Sequence, residues 1–110
     1  MVTLRRLAEA PAYDPTRFVA IPFLDGAQCN VRLIRLSPGQ ALPPHRHGHS
    51  ELMLYVVEGS GVLETAGGLL DFAAGALARY SGDEELRVRN TGAAGMTLLA
   101  FLAPPFPPRA

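Results

Sequence analysis

The chain has 110 residues, 48% of them hydrophobic, enough for one packed core and too few for two domains of ordinary size. Ten basic residues, all of them arginine, balance ten acids. The formal charge is therefore zero, and no net field draws the chain to nucleic acid or to an anionic membrane. Cys29 is the single cysteine, which excludes an internal disulfide framework.

From the N-terminus, MVTLRRLAEAPAYDP carries two arginines but no following apolar run of signal-peptide length. Apolar runs such as Leu52 to Val57 are far short of the ~20 residues that span a bilayer. A soluble cytoplasmic protein is the expectation. Residues 2–9 are read as one helical turn at most. From Phe18 to Leu102 short apolar segments alternate with turn signals. Strands are expected over 31–36, 51–58, 62–65, 69–72, 76–80 and 96–102. Another is expected where Leu86, Val88 and Asn90 alternate with Glu85, Arg87 and Arg89. Gly59-Ser-Gly61, Gly67-Gly68, Gly75 and Thr91-Gly92 punctuate them, at intervals of about 8–12 residues. That spacing predicts an all-β sandwich or barrel with a core over residues 18–102. Residues 103–110 form a Pro-rich arm that cannot donate to a ladder at most positions. It is expected to be extended, either frayed or lying across a partner subunit.

All three histidines lie between positions 45 and 49, in Pro43-Pro44-His45-Arg46-His47-Gly48-His49-Ser50-Glu51. In an extended segment residues i and i+2 share a face, so His45 and His47 aim two imidazoles at one place. Pro44 favours that geometry. Glu51 opens the returning strand and can bring a carboxylate beside them. Two histidines and a carboxylate with open positions suit iron(II), and similar sets hold zinc, manganese or nickel. His49 sits in the turn, as a further ligand, an outer partner or a surface residue.

These residues resemble the first motif of the cupin superfamily, G-x5-H-x-H-x3,4-E-x6-G. Here it reads Gly39, His45, His47, Glu51 and Gly59. Gly75 and Asn90 have the separation of the ends of the second motif, G-x5-P-x-G-x2-H-x3-N. The resemblance covers roughly residues 30–102 and looks like a compact bacterial single-domain cupin. It implies a double-stranded β-helix barrel, often dimeric, with a metal at one end held by the two histidines, the glutamate and a second-motif histidine. The chain departs from the pattern in three ways. Leu86 stands where that last histidine belongs. Ser81 and Asp83 occupy the motif's proline and glycine positions. Glu51 lies one residue further from Gly59 than the motif asks, so counting back from Gly59 reaches Leu52. A one-residue shift turns a strand side chain to the other face. Either a bulge restores Glu51 to the interior, or Leu52 faces in and the carboxylate is lost.

Tyr55, Tyr80, Arg79, Met53 and Phe101 lie on expected strands and line a barrel cavity or pack in core or surface. Leu52 and Leu86 join the cavity set through the motif positions they occupy. Cys29 reads as a small buried hydrophobe, Asp83-Glu84-Glu85 as a solvated acidic loop, and Asn90 as a structural hydrogen-bonding residue. No catalytic residue stands out. The functional expectation is a metal-dependent enzyme holding a divalent transition metal on His45, His47 and Glu51 and acting on a small polar molecule. The alternative is a non-catalytic small-molecule-binding or sensing barrel with a weak or absent metal site. The expected partners are a small molecule and a second copy of the chain.

Overall fold

The computed structural model describes residues 1–108 and is built of β-strands. In chain order these are β1 (Val19–Asp25), β2 (Asn30–Leu36), β3 (Glu51–Glu58), β4 (Ser60–Thr65), β5 (Gly68–Ala73), β6 (Leu77–Tyr80), β7 (Val88–Asn90) and β8 (Met96–Ala103). The helical turn expected near the N-terminus is a single 3-10 turn, Leu7–Glu9. No helix of the described residues is long and apolar enough to cross a membrane.

The strands form a five-stranded sheet, ordered β1-β2-β8-β3-β6, and a three-stranded sheet, ordered β5-β4-β7, antiparallel throughout. The stretch after Gly39 lengthens the smaller sheet. Asn90 N–H donates to the Gln40 carbonyl at 2.9 Å and Leu42 N–H to the Val88 carbonyl at 3.2 Å. Pro43 and Pro44 then interrupt this edge, since proline has no N–H to give. Period-two alternation sends one side of each strand into the space between the sheets. Ile34, Leu36, Leu52, Leu54, Val56, Leu98, Ala100 and Leu102 enter from the larger sheet, and Leu63, Phe72 and Val88 from the smaller. Asn90, buried between them, donates to the Leu36 and Ala94 carbonyls at 2.8 and 2.9 Å and accepts from Gly92 N–H at 2.8 Å. It is the structural group the sequence suggests.

The expected strands are present, and one is added. β1 carries Pro22, which reads as a strand breaker; it is tolerated because β1 is the sheet's edge, with a register shift between Pro22 and Leu24. Cys29 corrects the buried reading, because it is exposed in the β1–β2 turn. Over its described part the C-terminal arm is bonded to its own barrel, which corrects the frayed-tail reading. The buried side chain of Asn30 donates to the Phe106 carbonyl at 2.7 Å and accepts from Phe106 N–H at 3.0 Å. Ser50 Oγ donates to the Pro104 carbonyl at 2.6 Å. The arm thus folds back over its own barrel. Arg109 and Ala110, its last two residues, lie outside the described residues. At the other end of the chain, Tyr13 covers part of the larger sheet's outer face, bonded to Glu58 and stacked under Arg35.

Candidate functional site

The histidine segment leaves the edge of the smaller sheet and crosses one end of the barrel. His45 still pairs with the chain opposite: Leu86 N–H donates to its carbonyl at 2.8 Å. His47 N–H donates to the Gly82 carbonyl at 2.9 Å, and Arg46 Nε to the Asp83 carbonyl at 3.0 Å. Gly48, with φ of 61°, then turns the chain into β3. The two imidazoles come together as the i, i+2 spacing requires, with ring centroids 4.5 Å apart and planes crossing at 68°. His45 Nδ1–H donates to the Pro43 carbonyl at 2.8 Å, since a carbonyl can only accept, so in the neutral ring the lone pair is at Nε2. His47 is buried, its ring edge-on to Phe106 at 5.1 Å, and its Nδ1 has no hydrogen-bond partner. Burial, with a smaller contribution from His45, pushes the His47 pKa down to about 4, so this ring is neutral at pH 7. His49 is exposed and faces a separate shallow groove beside Ser50 and Pro104.

The carboxylate does not join the pair. Leu52 pairs with Leu102 and with Tyr80 and is fully buried, whereas Glu51 is exposed and holds Arg79 at 3.2 Å on the outer face. The strand does contain a bulge, but between Val56 and Glu58, at the end away from the histidines. Pairing from Glu51 to Val56 is continuous, so nothing turns Glu51 inward. The set of His45, His47 and Glu51 expected from the sequence is therefore not assembled. Among the described residues no group of three or more His, Cys, Asp or Glu side chains is placed to hold a metal ion.

A cavity of about 390 Å³ opens beside the histidines between the two sheets. Leu52 and Leu86 line it, as expected; Met53 and Tyr55 do not, because they alternate to the outer face with Glu51. Phe18, Ala20, Ile34, Leu42, Ala100, Leu102 and Phe106 complete a mostly hydrocarbon wall. The polar side chains on it are His45, His47 and Arg32. Arg32 and Phe106 are the residues that reading the sequence missed. Phe106 reaches the cavity only through the long-range bonds to Asn30. Arg32 carries a local signal: in Val31-Arg-Leu-Ile-Arg-Leu36 the two arginines are three apart, so in a strand they occupy opposite faces and one must point inward. The acidic loop stays outside, with Glu84 accepting from Ser81 N–H at 2.9 Å and Glu85 held by Arg87 at 2.7 Å.

Residues 32–102 match the family model described as a cupin domain. Among solved structures, TT1209 from Thermus thermophilus is 28% identical with a TM-score of 0.82, over 93% of this chain and 97% of that one. An RmlC-like cupin protein from Desulfovibrio desulfuricans is 27% identical with a TM-score of 0.83, over 96% and 100%. A Thermotoga maritima protein described as a predicted oxalate decarboxylase is 21% identical with a TM-score of 0.71, over 78% and 79%, a likeness of fold alone. No curated protein matches the chain.

Proposed function

The chain belongs to the cupin domain family, and from that premise we propose that it binds a small, largely apolar molecule inside its barrel, with His45 and His47 at the polar end. The observation that carries this reading is the pair of leucines at the site. Leu52 and Leu86 stand where the family's pattern asks for a carboxylate and a further histidine, and both line the cavity. They make it a hydrocarbon container, the usual character of small-molecule sites. A ligand that binds only the folded chain raises its melting temperature. Short alcohols such as 1-hexanol should do so for the wild type and much less for Ala100→Leu, which fills the cavity. Absence of any shift at millimolar ligand would refute the reading.

A resident metal is a poorer fit. Two imidazoles fall short of the three protein donors that commonly hold a catalytic ion, and Glu51 is committed to Arg79. The second reading, a metal-dependent enzyme acting on a small polar molecule, draws support from one feature. His45 has its tautomer set by a backbone carbonyl, the outer-partner arrangement of metal-binding histidines, beside a neutral His47 with an orphaned nitrogen. Zinc, iron, manganese or nickel binding to protein without a histidine tag, abolished by His47→Ala, would favour it.

The outer face of β3, β6 and β8 suits a second copy of the chain. Leu77, Tyr55 and Phe101 are 63%, 37% and 39% exposed and adjoin through the pairs Tyr55–Leu77 and Met53–Phe101. A homodimer burying this face should sediment at twice the chain mass and dissociate on Tyr55→Arg. A monomer at high concentration would exclude it.

A further inference from the structure

We propose that the ligand of the cavity is a monocarboxylate with an apolar body, its carboxylate paired with Arg32 and its body among Ile34, Leu52, Ala100 and Leu102. The proposal rests on the small-molecule reading above and names the chemistry of the ligand. Nine arginines are described, and seven of them stand within 3.9 Å of a carboxylate oxygen. The other two are Arg5 and Arg32. Arg5 is exposed on the N-terminal segment, where water solvates it. Arg32 is half-buried on the cavity wall and has no acidic partner among the described residues. Its parity on β2 is that of Ile34 and Leu36, the core-facing residues, while Arg35 takes the outer face beside Tyr13.

An arginine that loses water without gaining a carboxylate costs free energy, and a chain with ten acids has placed none of them there. Its partner on β8 is Ala100, whose small side chain leaves space in front of the strand pair. The guanidinium is permanently charged and offers a planar fork that a carboxylate fits in a bidentate manner. One unpaired cation in a hydrocarbon cavity balances one negative charge, so a dianion would bury a charge without a counterpart. His47, buried beside Phe106, is neutral and adds no charge to the cavity. Arg32 is thus the positive group that selects the ligand's charge.

Calorimetry on the full chain with hexanoate, 1-hexanol and hexyl phosphate separates the possibilities. Hexanoate should bind at least about tenfold more tightly than 1-hexanol, the scale of a charge-assisted pair. Arg32→Gln should remove that preference, so that the variant binds hexanoate no more tightly than it binds 1-hexanol, and Arg32→Lys should restore part of it. Equal affinity for hexanoate and 1-hexanol, or a preference that survives Arg32→Gln, overturns the role of Arg32 and leaves small-molecule binding standing. Tighter binding of hexyl phosphate than of hexanoate overturns the monocarboxylate assignment. Failure of all three to bind the wild type overturns the small-molecule reading itself, and this proposal with it.

Discussion

Gly82→Ala is expected to destabilise the fold by about 3 kcal/mol or more and to lower the melting temperature by roughly 10 °C or more. A methyl group at Gly82 would run into the Gly48 carbonyl oxygen and lie 2.7 Å from the Gly48 carbonyl carbon and 2.9 Å from the Ser50 oxygen. All three are backbone atoms, so no side chain can rotate away. The contact joins the two loops that build the site, because the Gly82 carbonyl accepts the His47 N–H and Arg46 reaches across to Asp83. Relief of the clash must push residues 47–50 away from residues 81–83. That would loosen the buried His47 from Phe106, whose rings now meet at 5.1 Å. Calorimetry reads the stability loss, and the imidazole resonances of His47 report its new surroundings. A melting temperature within about 2 °C of the wild type would show that the loops do not approach this closely.

The same contact gives one departure from the family pattern a physical meaning. The second motif places glycine at position 83, and the chain has Asp83 there, but Gly82 beside it makes the close approach. The sequence displays such a glycine without displaying what it touches. The histidine pair is legible because strand parity is local: two residues, one face. Glu51 against Leu52 is not, because Leu52 to Val57 is apolar on both faces and therefore hides its phase. Met53 and Tyr55, cavity candidates because they lie on an expected strand, share the outward parity of Glu51. The return of the arm over the cavity depends on Asn30 and Phe106, which are 76 residues apart. No period or motif links two such positions. Pro22 hides β1 because a breaker in mid-sheet and a tolerated proline at a sheet edge look alike until the strand order is known.

If the two leucines are what make the site a container for apolar ligands, reversing them should make it a metal site. Leu52→Glu combined with Leu86→His is expected to raise affinity for zinc or nickel by about a hundredfold or more over the wild type, roughly 3 kcal/mol. Leu86 faces His45 directly across the bridge, and directly opposed residues carry their Cβ atoms about 4.5–5.5 Å apart. Leu52 faces the same cavity from β3. The double variant therefore supplies four donors, the number that closes a tetrahedral shell. It should be less stable without metal, by about 2–4 kcal/mol, because two polar groups replace hydrocarbon in positions that are 0% and 1% exposed. Metal should return that stability, because binding to the folded state alone adds to its free energy of unfolding. His47→Ala in the same background should remove most of the gain. The same double variant should lose 1-hexanol binding, since the cavity would exchange its hydrocarbon wall for a charged one. Metal affinity unchanged from the wild type, with the variant folded, would mean that His45, His47 and the two leucine positions do not face a common point.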